Sequence, residues 1–178
     1  MKPQVPIDVD EATGVWSTDG LPMLYVPRHF FINNHRAVEA ALGAQRYADI
    51  IYGAGYTSAR YWCEKEAMTH GLEALSVFEH YLARLSQRGW GQFKFIAADA
   101  QAGEADIRLD HSAFAIADAK SAGKVCYMFS GWFAGAMDWV IGSASGGRAS
   151  ACREVQCQAE GHSHCIFAVR PANSSSVR

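Results

Sequence analysis

Four of the five cysteines of this chain fall between Cys126 and Cys165, and the end of that stretch runs Glu154-Val-Gln-Cys157-Gln-Ala-Glu-Gly-His162-Ser-His164-Cys165. Cys126, Cys152, Cys157 and Cys165, with Glu154, His162 and His164, are more donors than one tetrahedral zinc ion needs, so a metal is the first expectation. The spacing is not the paired Cys-x-x-Cys of a zinc finger. Two other readings therefore stand beside it: the thiols as small buried hydrophobes with Glu154 on a solvated strand face, or a disulfide. Met1 to Pro6 leads into polar sequence without an apolar leader. We accordingly expect a cytoplasmic protein, in which thiols stay reduced and clustered cysteines signify metal or redox chemistry.

With 178 residues, 49% hydrophobic and 19% charged, the chain fits one globular domain with a real core. Its net charge of −2 and scattered basic residues lack the footprint of a nucleic-acid binder. No apolar run approaches the roughly 20 residues needed to span a bilayer; the most apolar stretch, Val125 to Ile141, carries Asp138 and several glycines. A single domain is expected over residues 9–171, with 172–178 as a disordered, serine-rich tail.

Two short strands around an Asp19-Gly20 turn open the domain. Phe30, Phe31, Asn34, Val38, Ala41 and Leu42 then recur at helical spacing from Pro27 to Gly43. A second helix runs from Ala44 to about Thr69, either kinked or very closely packed at Gly53 and Gly55. A third buries Leu75, Phe78, Leu82 and Leu85. Beyond Gly89 the pattern changes to alternation. Residues 92–98 and 104–110 read as an antiparallel pair, followed by a short helix at 113–120 and a glycine-spaced buried helix at 125–141, whose Gly131, Ala134 and Gly135 permit close backbone contact or leave room for a ligand. A last hairpin joins 148–157 to 165–170. The fold class is α+β, helices packed on a mainly antiparallel sheet.

These motifs carry a family resemblance. Gly123-Lys-Val-Cys126, the helix with Gly131-Trp132 and Gly135, and Arg153-Glu154 through Cys157 to Cys165-Ile-Phe together resemble the C-terminal half of the 4-vinyl reductase domain family. Tyr52-Gly-Ala-Gly-Tyr56 and Gly89-Trp90-Gly91 extend the match backwards. The family is similar to the aromatic-sensing domains of phenol- and xylene-responsive transcription activators, and its fold is shared with a vesicle-tethering subunit and nitric-oxide-sensing haem domains. The resemblance implies a structural zinc on Cys126, Glu154, Cys157 and Cys165, with Cys152 replacing Cys126 if an apparent insertion at 143–147 is placed differently. On an ideal strand Glu154 and Cys157 would face opposite sides, so a bulge or the strand's end must intervene. His162 and His164 are expected as loop histidines and Cys63 as core.

The resemblance further implies a homodimer, to which apolar Trp16, Leu21, Met23, Leu24 and Tyr25 near the domain edge would contribute. It also implies a cavity for a small apolar or aromatic ligand, for which Tyr56, His80, Trp90, Phe93, His111, Tyr127 and Trp132 are the candidate contacts. In the phenol sensors a His and a Trp hold the hydroxyl; His80 and His111 fall in the corresponding region, and Leu109 stands where the Trp is. Glycines 53, 55, 131 and 135 are expected to leave room between ring-bearing walls. The preferred function is a stand-alone sensor or carrier; the alternative is a reductase-like enzyme or accessory subunit drawing a cofactor from a partner, since no dinucleotide fingerprint is present.

Overall fold

The computed structural model describes residues 5–117, 123–142 and 149–172. Their order is β1 (Asp8–Val9), β2 (Trp16–Thr18), β3 (Leu21–Met23), α1 (Arg28–Leu42), α2 (Ala44–His70), α3 (Leu75–Gln87), β4 (Gln92–Asp99), β5 (Glu104–Asp110), α4 (Ala113–Ala117), α5 (Met128–Val140), β6 (Ser150–Gln156), a 3-10 turn (Gln158–Glu160) and β7 (Cys165–Pro171). The α+β class is as expected. The strands form two sheets, however: β1-β2-β3, and β4-β5-β7-β6, with every pairing antiparallel.

Asp19 (φ 53°) and Gly20 (φ 74°) join β2 to β3 as a two-residue loop. Two successive positive φ values match the right-handed twist of the flanking strands, which is why Asp-Gly was readable as a hairpin. In the main sheet Ala105, Ile107 and Leu109 of β5 alternate inward and lie beside Val169, Phe167 and Cys165 of β7. Arg108 and Asp110 pair on the opposite face at 2.7 Å. The alternation thus presents one apolar face to the helices.

Helix α5 is buried on nearly every side, between α2 and the β6–β7 half of the sheet. A methyl group on Gly131 would run into the carbonyl oxygen of Tyr52, and one on Gly135 into that of Tyr56. Gly55 admits the indole of Trp132 in the same way. The glycine spacing therefore sets backbone-to-backbone contact, and the neighbouring element fills the space expected for a ligand. Helix α2 runs unbroken from Ala44 to His70, so the closely packed alternative holds.

The expected insertion at 143–147 and the last three residues, 118–120, of the expected helix at 113–120 lie outside the described residues. So does the tail, apart from Ala172, whose N–H donates to the Ala149 carbonyl at 2.7 Å. No helix among the described residues is long and apolar enough to cross a membrane.

Candidate metal centre and aromatic recess

Four segments deliver Cys126, Glu154, Cys157 and Cys165 to one buried point. Cys126 precedes α5, Glu154 lies on β6, Cys157 enters the 3-10 turn, and Cys165 begins β7. The odd spacing of Glu154 and Cys157 is resolved by a bulge: Glu154 stands opposite Phe167 and Gln156 opposite Ile166, leaving Val155 unmatched and exposed. One extra residue restores the phase, so Glu154 and Cys157 both turn inward.

The three sulfurs are mutually 3.7, 3.9 and 3.9 Å apart. Thiolates about 2.3 Å from a tetrahedral zinc ion stand roughly 3.8 Å from one another. The fourth donor is held in place: Glu154 Oε2 accepts the N–H of Cys126 at 2.9 Å, while its Oε1 is buried with no hydrogen-bond partner among the described residues. A buried carboxylate oxygen left unpaired is unfavourable and is what a cation would satisfy. Around the cluster Ser112 Oγ lies 2.9 Å from the Cys126 sulfur, and Gln158 N–H donates to the Cys165 sulfur at 3.2 Å. Such outer contacts orient ligands. Without a cation the four groups cannot all ionise. Hydrogen bonding with the Cys126 and Cys165 sulfurs holds Cys157 well below the usual thiol range. Its anion in turn pushes Cys126 up, and burial raises Glu154 to about 9. The residues present fit a divalent, thiophilic ion.

The remaining sulfur and imidazole candidates are elsewhere. The Cys152 thiol is buried but outside the four-group cluster, His162 is exposed, and His164 contacts Ser163 at 2.8 Å. Cys63 is in the core, as expected.

The candidate ligand residues are only partly brought together. Trp90, Phe93 and Trp132 converge on Phe129, with ring centroids 6.0, 5.2 and 5.3 Å from it. Tyr56 instead donates to Asp138 Oδ2 at 2.5 Å across the α2–α5 contact. Tyr127 donates to Glu39, and burial followed by that carboxylate pushes its hydroxyl up in pKa, keeping it a donor. His111 is exposed at the left-handed residue after β5. His80 lies apart from the rings around Phe129, beside Trp62, with Nε2 2.8 Å from Glu66 Oε2. Sequence reasoning missed Glu66, Asp19 and His70 as its neighbours; the one-turn spacing of Glu66 and His70 on α2 was the available signal.

A recess of about 460 Å³ opens between the N-terminal sheet, the start of α1 and the end of α3, with Trp16, Tyr25, Phe31, Arg88 and Trp90 among its walls. Its size is that of a small-molecule site. Trp90 lines it and also meets Trp132 at 5.4 Å, linking the recess to the interior rings.

The α+β fold is shared with several solved structures. It is similar to the phenol-responsive sensory domain of the transcription activator PoxR, solved with phenol, at a TM-score of 0.78 and 16% identity over 93% of this chain and 84% of that one. A vinyl-4-reductase family protein from Methanocaldococcus jannaschii is similar at 0.51 and 12% identity, covering 85% of each chain. A trafficking protein particle complex subunit 3 from Naegleria fowleri, covalently bound to palmitic acid, is similar at 0.55 and 10% identity, covering 82% of this chain and 95% of that one. At these identities the likeness is one of fold, and it bears out the expected resemblance. By sequence the chain belongs to the family described as a domain of unknown function, DUF5943, whose profile matches residues 1–96. No curated protein matches the sequence.

Proposed function

We propose that this chain is a cytoplasmic, zinc-stapled module that binds a small, largely apolar aromatic metabolite, as a sensor or carrier. The observation that carries the reading is the recess walled by Trp16, Phe31 and Trp90 and joined through Trp90 to the Phe129–Trp132 rings. Likeness of fold to a phenol-responsive domain supports it. Zinc is assigned to Cys126, Glu154, Cys157 and Cys165 from their sulfur spacing and the unpaired Glu154 oxygen. Four protein ligands close such a shell, so the ion would hold structure rather than activate water. Of the candidate contacts, Trp90, Phe93 and Trp132 are proposed to meet the ligand; Tyr56, His80, His111 and Tyr127 serve the networks or surface described above.

Calorimetric titration of the zinc-loaded protein with phenol and alkyl-substituted monocyclic aromatics tests this. At least one compound is expected to bind, and Trp90→Ala to weaken it by about 10- to 100-fold, the loss of roughly 1–3 kcal/mol of apolar contact. Absence of binding across the series at full zinc content would reject the reading.

A homodimer is proposed as the working state. Leu24 and Tyr25 are each 86% exposed and Phe30 62% exposed, alongside Trp16 and Val26. Contiguous apolar residues of this size mark an interface. Light scattering at micromolar concentration is expected to give twice the chain mass, and Tyr25→Asp with Phe30→Asp to give the monomer. A monomeric mass for the unaltered chain would exclude the dimer.

A further inference from the structure

We propose that the chain holds a second divalent transition-metal ion, on Asp19, Glu66, His70 and His80, remote from the cysteine cluster and built from different elements. Asp19 comes from the β2–β3 turn, Glu66 and His70 from adjacent turns of α2, and His80 from α3. One donor atom from each lies within 4.8 Å of all the others. His70 Nε2 is 3.5 Å from Asp19 Oδ1 and 3.4 Å from Glu66 Oε2. Nitrogen and oxygen donors about 2.1 Å from a tetrahedral ion stand roughly 3.4 Å apart. The pair His80 Nε2 and Glu66 Oε2, at 2.8 Å, is hydrogen-bonded, and that proton is what an ion would displace.

Glu66 supplies the independent reason to place a cation here. It is wholly buried; Arg84 Nε lies 3.9 Å from its Oε2, beyond hydrogen-bond reach, and its Oε1 has no hydrogen-bond partner among the described residues. A carboxylate taken out of water with one oxygen unpaired is unfavourable, and a guanidinium at that distance compensates it less well than an ion in direct contact would. The neighbouring groups orient the donors. Arg84 Nη2 engages Asp19 Oδ2 at 2.8 Å, turning Oδ1 towards His70. Trp62 stacks on the His80 ring with centroids 5.6 Å apart, and Arg88 lies over the other ring system of that stack, 5.6 Å from the Trp62 centroid. The histidine side chains are 31% and 23% exposed, so an ion enters from their side and meets the buried carboxylate last. Two imidazoles and two carboxylates suit a borderline first-row ion such as Zn²⁺ or Fe²⁺ rather than Ca²⁺ or Mg²⁺.

Cobalt substitution in tag-free, full-length protein separates the two sites, because only the cysteine cluster produces thiolate-to-cobalt charge-transfer absorption. Wild type is expected to take up two equivalents of Co²⁺, the second adding d–d bands without charge transfer. Asp19→Asn places an amide that tolerates the positive φ and still faces Arg84, but is a poor ligand. It is expected to weaken the second equivalent at least tenfold with unchanged circular dichroism and unchanged charge-transfer bands. His80→Gln should do the same. Identical cobalt stoichiometry and spectra for wild type and Asp19→Asn would overturn the proposal. Loss of the charge-transfer bands alone would strike the cysteine assignment and leave this one standing.

Discussion

Cys157→Ser and Cys165→Ser are expected to abolish cooperative folding, yielding insoluble or metal-free protein. Cys126, Glu154, Cys157 and Cys165 are drawn from the α5 entry, β6 and β7, and meet only in the folded chain. Binding to a site absent from the unfolded state is folding energy, of order 10–16 kcal/mol for structural zinc at neutral pH. A domain's whole margin is only about 5–15 kcal/mol. Stripping the ion with a strong chelator should likewise remove the thermal transition. Cys152→Ser serves as the control: its thiol lies outside the cluster, so zinc content should stay stoichiometric. Elemental analysis beside thermal denaturation reads both. Wild type without stoichiometric zinc, or a Cys157→Ser protein that melts like wild type, would defeat the assignment.

The second large effect is expected from a single methyl group. Gly135→Ala places a carbon against the Tyr56 carbonyl, and Gly131→Ala against that of Tyr52; both obstacles are backbone and cannot swing aside. The helices must separate along their length, exposing part of the core at α5. The cost is expected at or above the upper end of ordinary overpacking, about 3 kcal/mol. Gly123→Ala, where no described residue beyond its chain neighbours comes within 4 Å of the added carbon, should be close to neutral. Denaturant titration of the three variants decides the matter, and equal midpoints for Gly135→Ala and wild type would show the contact to be looser than described.

Legibility from sequence followed the range of the interactions. The extents of α1 and α3, the buried face of α3 and the Asp19-Gly20 turn are local, and they were read correctly; the face of α1 was not, since it buries Ile32 and His35 and leaves Phe30, Asn34 and Ala41 exposed. Strand β1 is two residues long and has no periodicity to detect; only its pairing with β2 makes it a strand. The donors Cys126, Glu154, Cys157 and Cys165 were visible as a surplus of ligands and selected by resemblance. Their convergence depends on the Val155 bulge, whose need was evident from parity but whose position was not. The glycines of α5 were ambiguous because an absent side chain signals either a void or a close neighbour, and only the opposite helix tells which. Asp19, Glu66, His70 and His80 escaped because three elements must pack before they meet.

The backbone contact between α2 and α5 also bears on how the molecule can respond to a bound compound. Helices touching at Gly131 and Gly135 can neither slide nor roll without collision, so mechanically they act as one beam. Strain introduced at the recess cannot be relieved between them. If a compound binds there as proposed, the parts left to yield are those not keyed into the beam, the N-terminal hairpin and the first turns of α1, which form the recess wall opposite Trp90. Any readout of occupancy would therefore be expressed at the exposed surface carrying Leu24, Tyr25 and Phe30.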